Sequence, residues 1–380
     1  MPRLTPSFLR RAEKINPLLP LLLRACRDLR SAQNELRWLT EYARGCNSGA
    51  HPRWKPLLLD LCKHRSQGVP LQYLLGSEYF GELEIRCGPG VLIPRQETAS
   101  SVSYLASRLR QGDFGDLNLN RLRVIDVCTG TGCIPLLLHR LLSRCCHDSS
   151  SLRLLGVDVS PIALHYATLN RQLLLDSLLD ESRTMAPLRL DGIISSLLSM
   201  SFIQADVLPS SVQSQRSTIP QLLPALRHLG EPSWDVLISN PPYISSRAFA
   251  TTTSRSVRKF EPRVALVPST TNTCFRSKPE LREYLHHVNQ GVAKLEEGDL
   301  FYPRLLDLAD EMSVKVCLFE VADLSQASRV SLLIRSREKW KSVEMWRDEP
   351  TLPPDGDGQE PKGSFRVLGR GCGRSVVCWR

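Results

Sequence analysis

The stretch LISNPPYIS, residues 237–245, ends an apolar run on Asn240 and follows it with Pro241, Pro242 and Tyr243. Proline fixes φ and carries no N–H, and a residue before proline is pushed out of the helical region. Asn240 and Pro241 are therefore held extended, and Pro242 is stiff. A rigid backbone presenting a carboxamide, free carbonyls and an aromatic ring can grip an –NH2 group, because two N–H bonds need two fixed acceptors. From this stretch alone, a strand that merely stops at a proline turn fits equally well.

Three other apolar runs end on polar residues. The segment DVCTGTGCIPLLL runs from Asp126 to Leu138 and carries Thr129, Gly130, Thr131 and Gly132. A strand, a glycine turn and a helix make a nucleotide-type pocket at the strand's carboxyl end, and Gly130 and Gly132 let the backbone approach a ligand closely. Pro135 stands where a dinucleotide fingerprint needs its third glycine, which disfavours that ligand. The segment GVDVSP ends on Asp158, placed to accept hydrogen bonds from ribose hydroxyls, while Ser160 before Pro161 fits the cap of the next helix. Asp206, in QADVL, could face an adenine edge or be an exposed turn acid. Four strand ends would thus present a glycine loop, two carboxylates and the Asn240–Tyr243 tetrapeptide on one rim, where open α/β sheets bind ligands.

The elements that must position these residues follow from periodicity. Segments 121–127, 152–159, 201–207, 234–239 and 314–321 are apolar and β-branched, and 374–380 reads as a last strand. Strands separated by helical stretches predict a mostly parallel, doubly wound α/β sheet. Ahead of it, Leu22, Ala25, Leu29, Ala32, Leu36, Leu39 and Ala43 alternate by three and four, which predicts one helix of about seven turns on a bundle face. A second helix is expected around Trp54–His64. The division expected is a helical domain over 1–75, a β-hairpin linker over 76–98 and the sheet domain over 99–380. Residues 174–198, 209–232, 269–290 and 351–364 read as surface insertions.

Composition narrows the class. The 380 residues suffice for two or three domains, and 42% are hydrophobic. No apolar run is long enough to span a bilayer. The net charge of +10 admits an acidic partner or nucleic acid but selects neither. Twelve cysteines are scattered without a C-x-x-C pair, so no metal site is expected and the thiols read as free, in a reducing compartment. The first residues, MPRLTPSFLRRAEK, are basic with Glu13 the one acid; a mitochondrial targeting segment and an ordinary bundle helix both fit.

Asp-x-x-x-Gly-x-Gly, the acid ending the second strand and Asn-Pro-Pro-Tyr ending the fourth resemble the class I S-adenosylmethionine-dependent methyltransferases. The segment GVPLQYLLGSEYFGELEIRCGPGVLIPRQET before the sheet and KFEPRVALVPS after the tetrapeptide are similar to the HemK/PrmC family, the N5-glutamine methyltransferases of peptide chain release factors, in its eukaryotic mitochondrial branch. The likeness covers roughly residues 65–380. It departs at Cys128, where the family has glycine, and in Arg95-Gln96-Glu97-Thr98-Ala99, where the family has a proline and a second glutamate.

That resemblance implies an antiparallel last strand and S-adenosyl-L-methionine held by Asp126, Thr129, Gly130, Thr131, Gly132, Asp158, Asp206 and Asn240. It implies a catalytic tetrapeptide of Asn240, Pro241, Pro242 and Tyr243, with Tyr243 packed on the substrate amide. Leu92 to Thr98 would line the entrance, with Arg95 or Glu97 in polar contact or paired with each other at the surface. Glu261-Pro262-Arg263 would support the loop after the tetrapeptide. His165 reads as structural. The expected partner is a release factor bearing a Gly-Gly-Gln loop, with no membrane and no direct nucleic-acid contact, for a monomer in mitochondria or, alternatively, the cytoplasm. Two other readings stay open: an adenine-N6 methyltransferase of nucleic acid, and a non-catalytic binder of cofactor or release factor.

Overall fold

A computed structural model describes residues 4–46, 54–115, 117–143, 152–182, 190–208, 219–268, 294–353 and 365–380. Its centre is an eight-stranded sheet of β3 (Arg123–Val127), β4 (Arg153–Asp158), β5 (Ser201–Gln204), β6 (Val236–Ser239), β7 (Val316–Glu320), β8 (Ser342–Glu349), β9 (Arg366–Leu368) and β10 (Arg370–Trp379). The order is β5-β4-β3-β6-β7-β10-β8-β9. The first five strands in that order are parallel, and β10 runs antiparallel to both β7 and β8. This is the doubly wound arrangement expected, with an antiparallel strand from the last residues.

Burial follows the two-residue period of a strand. Ile125, Val127, Leu155, Val157, Leu237 and Phe319 enter one core, and Val124, Leu154, Val236, Ile238 and Leu318 enter the other. Both faces are covered, so the parallel strands read as unbroken apolar runs. β8 escaped that reading, since SVEMWRDE carries four charges. Its Glu344 is nonetheless buried and paired with Arg108 at 2.5 Å, and its Trp346 is fully buried.

Ahead of the sheet, α1 (Pro6–Ile15), α2 (Leu19–Cys26), α3 (Leu29–Gly45) and α4 (Trp54–Ser66) share their own apolar cluster, which includes Ala12, Leu22, Leu39 and Leu61. The single helix expected from Leu22 to Ala43 is two helices. Arg27 takes a left-handed conformation (φ 69°) that ends α2, and Asp28 accepts the Ser31 N–H at 2.9 Å to start α3. Thr5 caps α1, whose Ala12 lies in the cluster, so residues 6–15 of the basic segment form a packed helix.

The short helix α5 (Leu71–Leu75) leads into the hairpin of β1 (Ser77–Phe80) and β2 (Leu83–Arg86). Beyond it, α6 (Gln96–Gln111) precedes β3, and α7 (Cys133–Leu142) follows it. Residues 174–198 are not a surface insertion where described. They continue α8 (Pro161–Ser182) and form α9 (Leu190–Ser199), whose Leu178, Ile193 and Leu197 are core. In 209–232, the helix Leu222–His228 likewise buries Leu222 and Leu226. Residues 269–290, and 354–364 of the last expected insertion, lie outside the described residues.

Candidate active site

The strand order reverses at β3, with β4 and β5 on one side and β6 and β7 on the other. The carboxyl ends at such a switch point leave a crevice. Here it is a cleft enclosing about 1200 Å³, open mouth included, and lined by Cys128, Thr129, Gly130 and Thr131 after β3, Asp158 after β4, Asp206 after β5 and Asn240 and Pro242 after β6. Leu92 to Arg95, Thr98 and Pro262, Val264 and Ala265 form the opposite wall.

The glycine loop is shaped by backbone and by Asp158. Gly130 and Gly132 have φ of 56° and 75°. Asp158 accepts the Gly130 N–H on Oδ2 and the Ser160 N–H on Oδ1, both at 2.9 Å, and each carboxylate oxygen keeps a lone pair for a ligand hydroxyl. A Cβ on Gly130 would meet nothing within 4 Å, so that position looks into open cleft. A Cβ on Gly132 would press on Ala167 and Phe202; that glycine serves packing behind the loop and does not line the cleft. Cys128, where the resemblance leads one to expect glycine, also sits at positive φ (65°). The left-handed geometry is retained, with a side chain on the cleft wall where glycine would leave none.

Asp126 does not line the cleft either. It lies beneath the loop, where Oδ2 accepts the Thr129 hydroxyl at 2.6 Å and Oδ1 is buried without a partner. Burial pushes its carboxyl up to about 8, with Asp158 adding to the rise and the Thr129 hydroxyl opposing it. Burial also raises Asp158 and Asp206, against the backbone N–H groups that each accepts. Asp126 holds its proton when folded and loses it near pH 4 when unfolded. Its contribution to stability is therefore complete below pH 4 and is lost as pH rises towards 8. Asp126→Asn should flatten the pH dependence of the melting temperature between pH 6 and 8.5, which thermal melts at the two pH values check.

Arg95 is the one cationic side chain among the residues lining the cleft. It is bound to Glu261 Oε1 and Oε2 at 2.7 and 2.8 Å, and Glu261 also accepts the Ile93 N–H. Of the two arrangements expected, a surface pair with Glu97 is not the one that forms; Arg95 joins the entrance segment to the Glu261–Arg263 turn. With Asp158 and Asp206 on the opposite side, the cleft is short of positive charge and suits a cationic ligand with hydroxyls to donate. Arg95→Ala strands a buried carboxylate and should lower stability by about 2 kcal/mol in urea unfolding.

The tetrapeptide divides. Asn240 reaches the cleft, and its carboxamide has no hydrogen-bond partner among the described residues. Pro242 lines the cleft, whereas Pro241 is buried beside it. Tyr243 does not line the cleft. Its ring packs against the core and its hydroxyl donates to Glu320 Oε1 at 3.1 Å, so it anchors the tetrapeptide from behind the cleft wall. His165 is exposed on α8 and does not line the cleft. Sequence reading missed Glu320 because it ends a strand, VCLFE, whose other residues are apolar.

Among the described residues no group of histidines, cysteines and carboxylates could hold a metal, and no helix is long and apolar enough to cross a membrane. No family model matches the chain. It is 31% identical over 350 residues to the mitochondrial MRF1 N(5)-glutamine methyltransferase MTQ1 of Saccharomyces cerevisiae, covering 92% of this chain and 90% of that one. It is 30% identical to the probable MRF1 mitochondrial N(5)-glutamine methyltransferase of Schizosaccharomyces pombe, over 88% and 89% of the two chains. A release factor glutamine methyltransferase of Nitratidesulfovibrio vulgaris is 31% identical over 57% of this chain and 55% of its own. Among solved structures, the human Mettl16 catalytic domain aligns over 84% of this chain and 80% of its own at 15% identity, with a TM-score of 0.39. Two relatives of 30% and 31% identity matched over nearly their whole length place the chain plainly: it belongs to the N5-glutamine methyltransferase family, and within it to the mitochondrial branch.

Proposed function

We propose that this mitochondrial enzyme methylates the side-chain nitrogen of the glutamine in the Gly-Gly-Gln loop of a release factor, using S-adenosyl-L-methionine. The observation that carries the reading is the Asn240 carboxamide, without a hydrogen-bond partner among the described residues, on the wall of a cleft that also holds Gly130 and Asp158. When bound, the cofactor supplies a methyl group on a sulfonium, an electrophile strong enough for an amide nitrogen. The cleft fits it: Gly130 leaves open space for a ligand, Asp158 keeps acceptors for ribose hydroxyls, and Asp206 stands on the side assigned to adenine.

The remaining work falls to the chain. An amide nitrogen is a poor nucleophile, since its lone pair is delocalised into the carbonyl, so orientation and exclusion of water dominate. The Asn240 oxygen accepts one substrate N–H and the Pro241 carbonyl, which takes no backbone hydrogen bond among the described residues, accepts the other. The nitrogen's lone-pair face then turns into the cleft. The two carbonyl dipoles also stabilise positive charge developing on nitrogen, and one N–H proton leaves to solvent after the N–C bond has formed. The enzyme acts as a monomer without contact to nucleic acid in this reading.

Labelled S-adenosylmethionine offered with a mitochondrial release factor, the same factor with its glutamine changed to alanine, and a nucleic-acid control tests the proposal. Label on the first alone is the expected result. Label on the nucleic acid alone would move the enzyme to adenine-N6 transfer.

A further inference from the structure

Asn240 also borders a small second cavity, whose polar lining is Ser239, Thr98, Ser101, Glu320 and Ser375 among apolar residues such as Val102 and Leu318. Glu320 ends β7 and is almost completely buried. Its Oε2 accepts the Thr98 hydroxyl at 2.5 Å and its Oε1 accepts the Tyr243 hydroxyl at 3.1 Å. Its backbone carbonyl accepts the Tyr302 hydroxyl at 2.8 Å. Thr98 belongs to the first turn of α6 and lines the cleft; Tyr243 is the last residue of the tetrapeptide.

A carboxylate is unfavourable in such a place unless its oxygens are bonded. An apolar residue would pack the end of a buried strand as well, so the gain from a carboxylate lies in geometry. It offers two acceptors in a rigid fork, and each holds a different wall. Tyr243 is also fixed at its other end: Gln326 donates to its carbonyl at 3.3 Å, and a Cβ on Gly298 would lie 2.4 Å from that carbonyl oxygen. The tetrapeptide is therefore seated at its carbonyl end by Gln326 and, among the described residues, is tied across to α6 by side-chain hydrogen bonds only through Glu320.

We propose that Glu320 is a positioning residue for methyl transfer. By holding Thr98 and Tyr243 on its two oxygens, it sets the spacing between α6 and the tetrapeptide and so the angle at which Asn240 presents its carboxamide. This rests on the reading of Asn240 as the substrate amide's acceptor. Glu320 touches no reacting atom; it acts through Tyr243 and the stiff Pro241-Pro242 link. Displacement of a reacting group by about 1 Å costs on the order of a hundredfold in rate, so a loosened tie appears in kcat before it appears in binding.

The test uses the full chain and four variants, Glu320→Gln, Glu320→Ala, Tyr243→Phe and Thr98→Val. It measures kcat and KM on the release factor, the Kd of S-adenosylmethionine, and the side-chain amide resonances of 15N-labelled asparagine, with Asn240 assigned by their loss in Asn240→Ala. Glutamine keeps the fork, since both hydroxyls can turn to donate or accept. Glu320→Gln is therefore expected within about threefold of the parent kcat. Tyr243→Phe should lose about tenfold, and Glu320→Ala about a hundredfold, with KM and Kd within twofold. The Asn240 resonances should broaden or double in Tyr243→Phe. If Glu320→Ala does not fold, Tyr243→Phe and Thr98→Val carry the same comparison. Parent kcat with unmoved Asn240 resonances in Tyr243→Phe would overturn the proposal. So would a loss seated in KM or Kd, or a glutamine variant as poor as the alanine one. Should the parent enzyme leave the release factor unlabelled, the substrate reading fails, and the Asn240 resonances still decide whether the tie holds.

Discussion

Asn240→Ala is expected to reduce methyl transfer to the release factor by about 10²–10³-fold, the usual cost of removing one preorganised polar group from a reacting centre. The affinity for S-adenosylmethionine should stay within about threefold, because the glycine loop, Asp158 and Asp206 are untouched. Asn240 is the only carboxamide among the residues lining the cleft, so no neighbour can take over its oxygen. The flanking prolines keep the backbone extended whatever side chain precedes them, which makes refolding of the segment an unsuitable explanation for the loss. Single-turnover rates with labelled cofactor, together with calorimetric binding of the unlabelled one, separate the two quantities. A variant that lost cofactor binding and rate in equal measure would place Asn240 in the cofactor site and leave the substrate amide without its acceptor.

Gly130→Val is the second large effect. Gly130 has a φ of 56° and a Cβ there would stand in open cleft. Valine adds two penalties at once. A β-branched residue at positive φ is strained by about 1–3 kcal/mol, and its methyl groups project into space that the cofactor needs. The affinity for S-adenosylmethionine should fall by at least about a hundredfold, some 2.7 kcal/mol or more, while the melting temperature falls by only a few degrees. Gly132→Val would give the opposite balance, since its Cβ meets Ala167 and Phe202 at 3.0–3.1 Å inside the fold. Two glycines of one loop thus answer to different constraints, one to ligand and one to packing.

The sequence displayed the parallel strands and the rim because both have simple physical signatures. Strands covered on two faces are continuous apolar runs, and Asp158, Asp206 and Asn240 stand out where those runs stop. What stayed hidden was set by partners distant in the chain. Glu344 reads as a charge that breaks a strand until Arg108, 236 residues away, is seen to bond it. The break at Arg27 has neither glycine nor proline to mark it; Asp28 as a helix cap was the available signal. The Leu-rich stretch 174–198 resembled an insertion because Asp176, Ser177, Asp180, Asp191 and Ser195 are exposed on α8 and α9, while Leu178 and Leu197 face the core. Tyr243 was legible as an aromatic at the site, but the direction of its ring depended on Glu320, which no local pattern singled out.

The place of β10 in the sheet bears on the order in which the molecule can be assembled. β10 lies between β7 and β8, and β8 and β9 join the remaining strands only through it. The strand that comes last along these residues is therefore the seam. β3 to β7 can zip together as synthesis or threading proceeds, but β8 and β9 have no edge to join until residues 370–379 are in place. The sheet is therefore continuous only when β10 sits between β7 and β8, and loss of that one strand would detach β8 and β9 from the five parallel strands.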